Sequence, residues 1–163
     1  GAAGAAMDVL AETGLGDAVR QVASSGTPLL GICLGTQIIL GFSFENDCAC
    51  LGIVKGDVRQ FSTGMKDQNG TALKIPHMGW NTIQIKQRHP VLEGIEPDDS
   101  FYFVHSYYPS PKKGEDCLAV TDYGISFASV MGLDNVIATQ FHPEKSGRQG
   151  LRLLENFCRW SPC

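Results

Sequence analysis

The sequence predicts a single α/β domain built on a mixed sheet, and three patterns predict it. A helical stretch over residues 15–23 leads directly into a short unbroken apolar run, Leu29-Leu30-Gly31-Ile32, as when a crossover helix delivers a strand buried on both faces. A second apolar strand over residues 136–141 leads into another helical pattern near the C-terminus. Between these two units lie several short β-like runs. With 163 residues, 43% apolar and 18% charged, the chain is long enough to bury a sizeable core and has a globular composition.

Each element has its own signal. Leu15, Ala18, Val19, Val22 and Ala23 share one helix face, and Ser24-Ser25-Gly26 followed by Pro28 supplies the stop. After Cys33 and Gly35 an apolar, helix-like stretch runs from 36 to about 44. A strand is expected within 53–61 and a polar turn over 63–70. Residues 82–85 alternate as a half-buried strand does, and 101–104 form a further run ending at His105. Residues 118–121 and 125–130 are placed to pair across Asp122-Tyr123-Gly124. In the last helix Ser146 and Gln149 have capping-box spacing, and Leu151, Leu154 and Phe157 or Cys158 form the expected buried stripe.

Charge and composition exclude several classes. Thirteen basic against 17 acidic residues leave a net charge of −4, with no basic run to track a phosphate backbone. No apolar stretch approaches the ~20 residues of a membrane span, and no basic segment leads into an apolar one at the N-terminus. The six cysteines read as reduced thiols of a cytoplasmic protein. Cys48-Ala49-Cys50 is too tight for paired zinc ligands, so no metal or cofactor is expected.

Gly31-Ile32-Cys33-Leu34-Gly35 has the form G-x-C-x-G, the thiol counterpart of the G-x-S-x-G strand-to-helix elbow. On such a turn the nucleophile stands above the sheet in strained backbone, and small residues two positions either side let strand and helix pass closely. The helix N-terminus favours thiolate, and the N–H of Leu34 is placed to donate to a developing oxyanion. The competing reading is a buried cysteine in a glycine turn. His142-Pro143-Glu144 weighs against it: residues i and i+2 of extended chain project to one side, so Glu144 can orient the imidazole while His142 exchanges protons with the thiol. Both follow apolar strands, which in a parallel sheet end at one edge. His77 reads as structural, His89 as a surface-loop residue, and His105 lacks an evident carboxylate partner and stays outside the triad.

GICLGTQ (31–37) together with QFHPE (140–144) resembles the class I, or triad, glutamine amidotransferases, and PHMGWN (76–81) with FVHSY (103–107) narrows the likeness to the glutaminases of histidine biosynthesis. The resemblance covers essentially the whole chain. It implies a three-layer α/β fold with a mixed, largely parallel sheet. It also implies hydrolysis of glutamine to glutamate and ammonia by a Cys33–His142–Glu144 triad, and a pocket formed by Leu34, Gly35, Gln37, Ser106 and Tyr107. Further implied is a (β/α)₈-barrel cyclase subunit as heterodimer partner, met near Trp80, Asn81, Tyr102 and Lys145. Trp80 has packed aromatic, Gln37 inner-face helix residue and Lys145 solvated lysine as alternatives.

Members of that family begin with a strand, a helix and a second strand ending in a Pro-Gly-x-Gly turn, whose last glycine Gly1 matches. On this reading the 163 residues are an N-terminally truncated glutaminase domain lacking half of its oxyanion hole, and poorly soluble or inactive alone. Val54-Lys55-Gly56 departs from the family's usual Ile-Pro-Gly without functional weight. Rival readings are a glutaminase serving a surface-sugar, GMP or anthranilate synthase, a non-catalytic glutaminase-like binding domain, and a cysteine peptidase on a similar sheet.

Overall fold

A computed structural model describes residues 2–162; Gly1 and Cys163 lie outside the described residues. The chain opens with two helices, α1 (Ala3–Thr13) and α2 (Leu15–Ser24), hinged at Gly14, whose φ of 71° is a left-handed conformation that suits glycine. The second was expected. The first was not, because its alanine-rich sequence carries no polar-to-apolar stripe and buries only Ala3.

Next come β1 (Leu29–Ile32), α3 (Leu34–Ile38), β2 (Phe42–Ser43), β3 (Cys48–Ala49) and β4 (Gly56–Gln60). The helix expected from 36 to about 44 is only these five residues. The loop after β3 explains why: the N–H groups of Leu51, Ile53 and Gly52 donate to the carbonyls of Ile38, Ile39 and Leu40 at 2.8–2.9 Å, taking up the acceptors at and just past the helix end that a longer helix would need.

The second half is β-rich: β5 (His77–Thr82), β6 (Gln84–Ile85), β7 (Ser100–His105), β8 (Tyr107–Pro111), β9 (Cys117–Asp122), β10 (Ser126–Leu133) and β11 (Val136–Thr139), then α4 (Gly147–Arg159). The main sheet has the order β1-β11-β10-β9-β6, beside a four-stranded β3-β2-β4-β8 sheet and the β5-β7 pair. The main sheet is mixed as expected, although its parallel pairing among the described strands is confined to β1–β11. The tight turns joining β9, β10 and β11 permit only antiparallel neighbours. β1 lies at the sheet's edge yet has both faces covered as expected, Leu30 against the apolar cluster of Phe101 and Phe141 and Leu29 against that of Leu40 and Ala138, although only Gly31 is fully buried.

Two apolar clusters flank the sheet. Phe61, Phe101, Phe103, Phe127, Val130, Phe141 and Leu153 form one, and Leu40, Val54, Val58, Met131 and Ala138 belong to the other. The stripe of α4 is also corrected. Gly150 and Leu153 are its buried residues, while Leu151 is 63% exposed. No capping box forms: Ser146 makes no side-chain cap, and Gln149 instead donates to the Ser100 carbonyl. No helix among the described residues is long and apolar enough to cross a membrane.

Candidate active site

Cys33 sits at the junction of β1 and α3 with φ 51° and ψ −101°, a strained conformation for a non-glycine residue. A Cβ on Gly31 would come within 3.1 Å of the Gly35 backbone, so glycine is favoured there where strand and helix pass closely. At Gly35 a Cβ would meet nothing, and the expected steric need for glycine at this second position is corrected. The elbow is pinned from below by the Cys33 N–H, which donates to the Thr139 carbonyl at 2.8 Å, and by the Thr36 hydroxyl, which donates to the same oxygen.

These bonds join the nucleophile's strand to the one that carries the histidine. Ile32 pairs with Thr139 in parallel register, so Cys33 and His142 leave adjacent strands at the same edge. His142 Nδ1 lies 2.7 Å from Glu144 Oε1, which selects the tautomer whose Nε2 is available to accept a proton. Among the described residues His142 Nε2 carries no hydrogen bond, and the sulfur's partner is Gln140 Nε2 at 3.8 Å rather than the imidazole. Burial pushes the Cys33 thiol above its ordinary pKa. The Leu34 N–H pulls it down, the Glu144 charge pushes it up and Lys145 lowers it. The expected bias toward thiolate from the helix is therefore corrected: a five-residue helix supplies one N–H, and desolvation outweighs it.

Beside the sulfur is a cavity of about 240 Å³ lined by Cys33, Leu34, Gln37, Glu45, Pro76, Val104, His105, Ser106 and Tyr107. Of the expected pocket residues, Leu34, Gln37, Ser106 and Tyr107 line it and Gly35 does not. Glu45, Pro76 and Val104 line it without having been expected to, and His105, left outside the triad, lines it too. Glu45 precedes the polar Asn46-Asp47 turn and gave no sequence signal. His105 carried one: a histidine closing an alternating strand whose other inward residues, Phe101 and Phe103, are apolar.

His105 and His77 face each other across β5 and β7, with His105 Nε2 3.0 Å from His77 Nδ1. Burial lowers His77 to about 3, with the neighbouring His105 adding to the effect. Burial likewise lowers His105, to about 4, against the raising effect of its bond to the Tyr107 carbonyl. Both are neutral around pH 7. His89 is corrected from surface-loop residue to a half-buried one: it accepts from the Val91 N–H and packs edge-on to Trp160 at 4.9 Å.

Trp80 pairs with Tyr102 across β5 and β7 with ring centroids 6.1 Å apart, on the face opposite the buried histidines. Trp80 is 56% and Met78 61% exposed, which leaves the packed-aromatic alternative without support at this residue. Asn81 is corrected from the Trp80 side to the histidine side of β5, where its amide meets His77 Nε2 at 3.4 Å and donates to the Asp122 carbonyl at 3.0 Å, and Lys145 is exposed in the turn Pro143–Lys145.

A cysteine on a strained elbow, a carboxylate-oriented imidazole on the next parallel strand and a cavity at the sulfur have the makings of a domain for covalent acyl transfer. The chain belongs to the glutamine amidotransferase class-I family, whose family model matches residues 10–160. It is 50% identical over 160 residues to "Imidazole glycerol phosphate synthase subunit HisH" of Nitratidesulfovibrio vulgaris, covering 98% of this chain and 75% of that protein. It is 52% identical over 164 residues to the like-named subunit of Desulfovibrio desulfuricans, covering 99% and 75%. Among solved structures, PurLQS from Thermotoga maritima superposes with a TM-score of 0.64 at 16% identity, over 89% of this chain and 67% of that one, a likeness of fold alone.

Proposed function

We propose that this chain is the glutaminase subunit of an imidazole glycerol phosphate synthase and that Cys33, His142 and Glu144 are its triad. The observation that supports the reading most is the pairing of the Cys33 elbow with the His142–Glu144 strand end, in a chain half identical to synthase subunits over nearly its full length.

In this mechanism Cys33 Sγ attacks the side-chain carbonyl carbon of glutamine while His142 Nε2 takes the thiol proton. The tetrahedral oxyanion is met by the Leu34 N–H. On collapse the C–N bond breaks, His142 returns the proton to the departing nitrogen, and ammonia leaves a glutamyl thioester on Cys33. Water then adds, its proton passes to His142, and cleavage of the C–S bond releases glutamate and restores the thiol. Glu144 stabilises the imidazolium in both halves. Gln37 lines the glutamine pocket, and the Ser106–Tyr107 segment holds the substrate's amino-acid end. Ammonia passes to a (β/α)₈-barrel cyclase docked where Trp80, Tyr102 and Lys145 are presented, which forms imidazole glycerol phosphate and aminoimidazole carboxamide ribotide. The cytoplasm is the working compartment, in keeping with the free thiols of Cys33, Cys48, Cys50, Cys117 and Cys158.

Glutamate release from glutamine, followed with and without such a cyclase, tests this. Turnover that rises when the cyclase and its ribotide substrate are present is expected. No glutamate above the enzyme-free blank under either condition would count against it.

A further inference from the structure

A single backbone carbonyl fixes the polarity of a hydrogen-bond chain that ends on the sulfur. The Tyr107 carbonyl can only accept, and it receives Gln37 Nε2 at 2.9 Å and His105 Nδ1 at 2.8 Å. The Gln37 amide is therefore oriented with its nitrogen toward Tyr107. Its second N–H reaches Gln140 Oε1 at 3.0 Å, which in turn leaves Gln140 Nε2 facing Cys33 Sγ at 3.8 Å. In the other direction His105 must present a bare Nε2 to the N–H of His77 Nδ1, and His77 Nε2 accepts from Asn81 Nδ2 at 3.4 Å. Every donor and acceptor in the chain is thus assigned from one carbonyl.

Gln140 is 0% exposed, so water cannot replace its contacts. A sulfur is a weak acceptor when neutral and a much better one when ionised, so an N–H aimed at it favours the thiolate. We propose that Gln140 is a positioning residue for Cys33: clamped by Gln37, its amide nitrogen holds the sulfur at the cavity mouth and stabilises the ionised form. The inference rests on reading Cys33 as the nucleophile.

Other groups act on the same sulfur. They are the Leu34 N–H of α3 and the charges of Glu144 and Lys145 in the turn after β11; His142 stands at the adjoining strand end, and His105 of β7 and Glu45 after β2 line the same cavity. All are left in place when residue 140 is changed.

The test is the pH dependence of iodoacetamide alkylation of Cys33 in the full chain without glutamine, read on the Cys33 peptide by mass spectrometry. Gln140→Met, of similar shape and without the donor, is expected to raise the midpoint by at least about half a pH unit. Gln140→Glu, which puts a carboxylate oxygen at the sulfur, is expected to raise it further and carries the test if the methionine variant lacks a cooperative melt. Midpoints unchanged in the folded variants would overturn the proposal. So would a changed plateau rate with an unmoved midpoint, the signature of altered reagent access alone. Because the readout involves no turnover, its failure leaves the glutaminase reading standing, and a failed glutaminase assay leaves this result interpretable.

Discussion

Tyr102 holds the backbone of His142: the His142 N–H donates to the Tyr102 carbonyl at 2.9 Å, in an antiparallel bridge between the two residues. Ser146 closes the arrangement. Its hydroxyl oxygen accepts the Tyr102 N–H at 3.0 Å and donates to the His142 carbonyl, and the residue is fully buried. The strand that presents Trp80's neighbour on one face therefore fixes the histidine through its main chain.

Ser146→Ala leaves the part-buried Tyr102 N–H without this partner and the His142 carbonyl with only the Lys145 N–H, at a cost of about 1 kcal/mol. Urea unfolding should show that loss. Glutamine hydrolysis should fall more than stability alone explains, because the His142 loop is no longer fixed. An unchanged midpoint would show that the hydroxyl is dispensable there.

Gly31 and Gly35 should respond oppositely to alanine. A methyl at 31 presses on the Gly35 carbonyl carbon and oxygen at 3.1 Å and on the Thr36 nitrogen at 3.2 Å, and overpacking of this kind costs about 1–3 kcal/mol. A methyl at 35 meets nothing within 4 Å, and alanine suits a helix better than glycine by about 0.5–1 kcal/mol. Thermal melts of the two variants should move in opposite directions. A destabilised Gly35→Ala would contradict the open space seen there.

His77 and His105 should make the fold acid-sensitive. Their folded values, about 3 and about 4, lie below the ordinary 6.5, so below pH 6.5 the unfolded chain binds protons that the folded chain does not. Stability then falls as pH drops from about 6.5 toward the folded values, by about 2 kcal/mol per histidine at pH 5. Denaturant midpoints measured from pH 7.5 to 5 should show this slope, and His77→Phe, which cannot titrate, should reduce it. A flat profile would mean that the pair is not held neutral.

How much of this was legible in the sequence depends on whether the signal was local. The Cys33 elbow and His142-Pro143-Glu144 are contiguous motifs ending apolar strands, so their placement at one sheet edge followed from the chain itself. Gln140 was readable as a strand residue opening the QFHPE motif but its contacts were not, since its partners Gln37 and Cys33 lie more than a hundred residues away. β5 was missed because Gly79, at φ 136°, interrupts any strand pattern in its sequence, and pairing with β7 is what makes it a strand. The Ser146–Gln149 spacing misled for a related reason: both side chains satisfy groups on the β7 side of the molecule, which no local rule anticipates.

Trp80→Ala should weaken cyclase binding by about 1–2 kcal/mol, as loss of an exposed aromatic anchor commonly does. With its ring 56% exposed, the substitution should leave the melting curve nearly unmoved. Titration of the two subunits checks the affinity, and an unaltered Kd would remove Trp80 from the interface.

The catalytic assignment of Cys33 is tested most directly by incubating the protein with a glutamine-mimicking electrophile and mapping the adduct by peptide mass spectrometry. The account predicts a single modification at Cys33 that excess glutamine suppresses. Labelling at another thiol such as the exposed Cys158, or labelling of Cys33 that glutamine does not slow, would contradict it.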